Sequence, residues 1–303
     1  MKEANPKLNS ATAGLTYSVT VVIYIIVNLV LSLIVFAANI DEASDGFKYV
    51  SYLAAPIALA AGGFAVMNFR KQNISDVVKV KCHFKYYLIA LLMIFGLLFA
   101  VSDINILTLE LLKLIGYTPR GESSYLPSLE GGKVALALLV IALIPAVFEE
   151  FLFRGVILNN ARQTMGDVRT VFIVGFCFSL FHGSPEQTVY QFICGCAFAF
   201  LAVRSNSLLP CVLMHFINNA LIIILNACGA FDASGNLAIS SGASLAVTII
   251  AAVAFISSIL WLLLDKKPIL KCQKRGVIFF FLTASVGIFI LSIVWVLSFF
   301  ITG

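Results

Sequence analysis

The chain has 303 residues, of which 61% are hydrophobic and only 12% charged. Soluble domains carry about 25% charged residues, so half that share excludes an ordinary soluble enzyme and points to a chain threaded repeatedly through a membrane. The net charge of +5 then calls for neither nucleic acid nor an acidic partner; its meaning lies in where the cations fall.

An apolar run needs about 17–25 residues to cross a ~30 Å hydrocarbon core. In chain order, such runs predict spans over 15–38, 47–68, 86–106, 133–158, 168–182, 189–204, 207–228, 244–264 and 277–300. The first follows a polar start containing Lys2 and Lys7 and is too long for a signal-peptide core, which makes it a retained span. The fifth is the weakest, because Gly183 and Pro185 follow it at once. The connection 107–132 opens with LTLELLKLIG, a pattern suited to a short amphipathic helix along the interface. The predicted fold class is all-α, a polytopic membrane helical bundle of about nine transmembrane helices. No internal repeat divides it, so residues 1–303 read as a single membrane domain: N-terminal helices over 1–132, a core over 133–228 and C-terminal helices over 229–303.

With the N-terminus inside, the inner segments hold sixteen Lys and Arg residues. The outer segments hold four: Lys48, Lys113, Arg120 and Lys133. Even with Arg154 discounted, because it falls within a span, this bias places the N-terminus inside and the C-terminus outside. The seven cysteines give no disulfide framework. Cys177, Cys194, Cys196, Cys211 and Cys228 lie in apolar runs and act as small hydrophobes. Cys82 and Cys272 fall in inner loops, consistent with a reducing face.

Ionisable groups inside spans are rare, costly and usually functional. Here they are Glu149, Glu150 and Arg154 in the fourth span, His182 ending the fifth and His215 in the seventh. His83, among loop lysines, reads as merely solvated. If the fourth helix ends near Arg162 and the fifth begins near Val168, Glu149 and His182 each sit about 20 Å above the inner surface at ~1.5 Å per residue. By the same arithmetic Asn219 lies at about 18 Å and His215 at about 12 Å. Helix tilt blurs these depths, but they agree well enough for one cluster.

Spacing then assigns roles. Glu150 and Arg154 are four apart on one helix face, acid first, the favourable order for an ion pair. Glu149 points about 100° away and has no local cation, which suits a general base. Pro145 cannot donate to the carbonyl of Ile141, so a kink or polar opening is expected there. His215 and Asn219, again four apart, offer donors to an anionic oxygen. Phe178 stands four before His182, where its ring can wall off one side of the imidazole. Each pair alone is a common accident; three such pairs on three spans at one depth are not.

The order EEFLFR, FSLFH, HFINN resembles the EExxxR, FxxxH and HxxxN motifs of the CPBP family. That family comprises the CAAX proteases and bacteriocin-processing enzymes, also called Abi proteins, and includes the type II CAAX prenyl endopeptidases. The similarity covers roughly residues 133–228. It implies an all-helical intramembrane endopeptidase in which Glu149 activates the hydrolytic water with help from His182. His215 and Asn219 would stabilise the tetrahedral oxyanion, Glu150 and Arg154 would brace the site, and Asn218 would serve packing or a helix–helix hydrogen bond.

Glu149, His182 and His215 would also make a recognised catalytic zinc set. HExxH is absent, however, and the same groups suffice for a metal-free, glutamate-driven hydrolysis, which is preferred by a small margin. The expected partners are the lipid bilayer and a membrane-tethered protein or peptide substrate: a lipidated C-terminus, a hydrophobic precursor or a leader. A bacterial cell membrane would favour peptide precursors over prenylated proteins. Two other classes stand against the peptidase reading. One is a non-catalytic scaffold or bacteriocin self-immunity protein of the same fold. The other is a proton-coupled transporter, disfavoured because paired repeats are missing.

Overall fold

The computed structural model describes residues 8–118, 126–230, 238–265, 270 and 275–300. The cations Lys2, Lys7, Arg120, Lys266, Lys267, Lys271 and Lys274, together with Cys272, lie outside the described residues. Among the described residues nine long helices carry the fold: α1 (Ser10–Ala38), α2 (Asp45–Phe69), α3 (Lys85–Lys113), α4 (Lys133–Met165), α5 (Asp167–His182), α6 (Thr188–Ser205), α7 (Leu209–Ala227), α8 (Ser241–Leu264) and α9 (Gly276–Phe300). Eight of them are long and apolar enough to cross a membrane. The exception, α5, has 16 residues and rises only about 24 Å. No strand occurs among the described residues, and their six cysteines are all free thiols.

The stretch expected as a separate interfacial helix instead prolongs α3. After a π-helical turn at Leu97–Val101, helix continues over Asp103–Lys113 without a single buried residue. Strong helix formers run through LTLELLK, and Gly116, at φ +87°, follows their end. The helix therefore stops where the chain first takes a left-handed residue.

The centre of the bundle is α4. Its 33 residues rise about 50 Å, well beyond the hydrocarbon thickness. Two π-helical segments, Leu138–Leu143 and Phe151–Ile157, interrupt it on either side of Glu149 and Glu150. Burial changes along it: Leu136, Leu139, Leu143 and Val147 are exposed, whereas every residue from 150 to 162 is buried. Against this C-terminal half of α4 pack α1, α2, α5 and α6, while α7 lies along its N-terminal half. Polar side chains fasten the C-terminal end. Gln72 donates to Asn160 at 2.8 Å, Asn159 donates to the carbonyl of Val77 at 2.7 Å, and Arg162 pairs with Asp167 at 2.9 Å.

The α5–α6 hairpin depends on two glycines. A Cβ on Gly195 would stand 2.8 Å from the Cα of Gly175, so the two backbones approach closer than any other residue pair would allow. Gly183, at φ +63°, ends α5 directly after His182. The last helix secures that turn. Ser298 donates to the carbonyl of Gly183 at 3.1 Å, and the Trp295 indole donates to the Thr188 hydroxyl at 2.8 Å.

Gly195→Ala is therefore expected to lower stability by about 1–3 kcal/mol through overpacking. Gly242→Ala, where nothing lies within 4 Å of the added carbon, should be close to neutral. Thermal unfolding in detergent measures both.

Candidate active site

The site begins with a backbone defect in α4. Pro145 has no N–H for the carbonyl of Ile141, four residues earlier. That carbonyl accepts instead from the side-chain amide of Asn219 on α7, at 3.3 Å. Asn219 in turn accepts from Asn218 at 3.0 Å through its own carbonyl oxygen. The lesion that proline makes in one helix thus orients a side chain on another. Asn226 is not brought in; it is exposed and donates to Ile222 on its own helix.

One turn further along, Glu150 is completely buried. Its Oε1 accepts from Arg154 Nη1 at 2.9 Å and from His215 Nδ1 at 2.9 Å. A carboxylate can only accept here, so Nδ1 of His215 carries a proton and Nε2 is turned the other way, 3.9 Å from Oε2 of Glu149. Arg154 also donates to the carbonyl of Gly195 at 3.2 Å. Its guanidinium lies 4.4 Å from the Phe178 ring centre and 5.0 Å from that of Phe198. Aromatic faces thereby supply part of the environment that water would give the cation.

Glu149 points away from this ion pair. Its side chain is 13% exposed, and among the described residues nothing donates a hydrogen bond to its Oε2. With Asn219, Ile141 and Pro145 it lines an open cavity of about 420 Å³, walled also by Tyr24 of α1 and by Tyr52 and Pro56 of α2. His182 does not line this cavity. Its Nδ1 donates to the carbonyl of Phe178 at 2.9 Å, leaving Nε2 as the acceptor. Its ring packs on Phe178 with centres 4.6 Å apart, and it is close enough to Glu149 and His215 to interact with both electrostatically.

The depth arithmetic needs one correction. His215 stands only six residues into α7, yet touches the level of Glu149. The α6–α7 turn is sunk into the bundle: Asn206, Ser207 and Leu208 border the same small void as Arg154 and Asn159. The helices do not all start from one plane.

One comparison bears on this same region. Residues 131–221 match the family model described as Type II CAAX prenyl endopeptidase Rce1-like. The segment resembles that family. It contains Glu149, Glu150, Arg154, His182, His215 and Asn219. The Rce1-like family is a protease family, and here its segment is set in a multi-pass membrane protein whose helices α1–α3, α8 and α9 lie outside the match. No curated protein and no solved structure matches the chain.

Around the Rce1-like motifs the structure gathers side chains to which spacing assigned nothing. Phe198, three residues after Gly195 on α6, faces both Arg154 and His215. That i, i+3 pair on an otherwise apolar helix is its only trace in the sequence. Tyr24 and Tyr52 enter the cavity from spans that no motif marks. Among the described residues no three His, Cys, Asp or Glu side chains form a metal-holding group. Nδ1 of each imidazole is held, by the Phe178 carbonyl in His182 and by Glu150 in His215, and Nε2 of both rings is left open.

Glu150→Gln should strand the Arg154 cation in the core, at a cost of about 3–5 kcal/mol. The apolar pair Glu150→Leu/Arg154→Met should recover most of that loss. Denaturant titration of the purified protein in detergent compares the two.

Proposed function

We propose that the protein is an intramembrane endopeptidase in which Glu149 activates the hydrolytic water. The observation that carries this reading is the setting of Glu149: a carboxylate without a counter-charge of its own, on the wall of a cavity inside the bilayer, with the Nε2 of His215 beside it. Water enters the cavity with the substrate. Glu149 takes a proton from it as its oxygen attacks the peptide carbonyl carbon. His182, which stands outside the cavity lining with its Nε2 free to accept, assists Glu149. Negative charge passes to the carbonyl oxygen and meets the second amide N–H of Asn219 and, in the protonated ring, Nε2–H of His215. The C–N bond then breaks as Glu149 returns its proton to the leaving amine, giving a carboxylate and a free amine.

Glu150 and Arg154 act through His215 and not on the substrate. The paired carboxylate fixes the tautomer and the ring plane, as a carboxylate commonly does for a working histidine. The mechanism needs no metal, because a carboxylate placed as Glu149 is can itself take the proton of the attacking water. Substrates are polypeptides held at the membrane, as the family description also suggests. The N-terminus lies inside, following the Lys and Arg bias, and the whole chain works as one membrane domain.

In reconstituted vesicles, Glu149→Gln and His182→Ala should each lower peptide cleavage by about 10²–10⁴-fold without loss of fold. Cleavage at the wild-type rate in both variants would remove the catalytic assignment of these residues; no cleavage by the wild type would leave a scaffold or immunity protein. Exhaustive chelation should leave the rate unchanged; loss restored by added zinc would overturn the metal-free version.

A further inference from the structure

The cavity is closed at one end of the bundle and open at the other. On the closed side, every α4 residue from 150 to 162 is buried, and Arg154 is packed between the rings of Phe178 and Phe198. Below them, Asn159 binds the carbonyl of Val77, and the Leu208 N–H donates to the carbonyl of Lys79 at 2.6 Å, tying two inner connections together. On the open side the lining climbs from Glu149 past Ile141 to Ser51, Ile222 and Leu126. Ser51 is six residues, about 9 Å, from the start of α2, and Leu126 lies in the connection before α4.

The two ends differ in charge. Among the described residues, the segments at the open end hold six acids (41, 42, 45, 110, 130, 186) and three bases (48, 113, 133), a net of −3. With Arg154 set aside, those at the closed end hold nine Lys and Arg (70, 71, 79, 81, 85, 162, 169, 204, 275) against three acids (76, 167, 265), a net of +6. Positive charge is retained on the cytoplasmic side, so the closed end is the cytoplasmic one.

From the cavity's direction and the charge of its rim we infer that substrate reaches Glu149 from the non-cytoplasmic face. The inference rests on the peptidase reading only for what the cavity does, not for where it opens. It names the substrate class: polypeptides exported across the bilayer or anchored in its outer leaflet. A lipidated C-terminus on the cytoplasmic surface meets the sealed inner half of α4.

Accessibility tests this without any catalysis. Three proteins are made in a background lacking Cys196 and Cys272, each keeping one reporter: Ser51→Cys in the cavity, native Cys228 at the open end, or native Cys82 at the closed end. Intact cells are treated with a membrane-impermeant maleimide. Ser51→Cys and Cys228 should be labelled, and Cys82 only after permeabilisation. Protection of Ser51→Cys in intact cells overturns the inference, whether it reacts afterwards together with Cys82 or not at all. So does labelling of Cys82 while Cys228 is protected. Failure of cleavage in vesicles alongside the expected labelling would instead count against the peptidase reading alone.

Discussion

A charge buried in hydrocarbon must be neutralised within hydrogen-bonding distance or the helix that carries it leaves the membrane. The arrangement of this bundle follows from how Glu150 and Arg154 meet that demand. Their pair is fully enclosed, and pairing alone leaves donors over. Gly195 contributes a carbonyl, Phe178 and Phe198 contribute ring faces, and His215 adds a second donor to the carboxylate's Oε1; Oε2 of Glu150 and Nε of Arg154 have no hydrogen-bond partner among the described residues. Helices α5, α6 and α7 are thus all drawn to one residue pair on α4. Coulombic attraction in such surroundings is far stronger than in water, but so is the penalty for any missing partner.

This network also divides the labour between adjacent glutamates. Because side chains one residue apart on a helix diverge, only one of them faces the ion pair. The other, Glu149, is held at the same depth without being neutralised, next to a cavity. The proline-disrupted turn ahead of it contributes twice, by widening the helix into a π-helical segment and by offering the Ile141 carbonyl to Asn219. A carboxamide on a free helix face would sample several rotamers; this one is held by two hydrogen bonds.

Much of this was legible in the sequence. The nine helices follow from apolar length, and the motif residues from the rarity of charge within the spans. Pairings within one helix, such as Glu150 with Arg154, are fixed by the 3.6-residue period. Contacts between helices are not, and there the reading thins. Nothing in the spacing announces that Glu150 also holds His215, because that contact depends on how deeply the α6–α7 turn is sunk. Phe198, Tyr24 and Tyr52 are ordinary apolar-run aromatics until packing gives them neighbours. The extension of α3 was misread because amphipathic character over 107–113 fits a helix lying on the interface as well as one emerging through it.

The hydrogen bonds from Trp295 and Ser298 to the α5–α6 turn have a consequence of their own. His182 is the final residue of a short helix, so its ring is held by Phe178 on that helix while its backbone runs straight into the loop that follows. That loop is moored to the opposite end of the polypeptide, more than a hundred positions away. The terminal helix, which bears no motif, thereby braces the turn next to the imidazole, and the segment cut out as 131–221 would lack that brace.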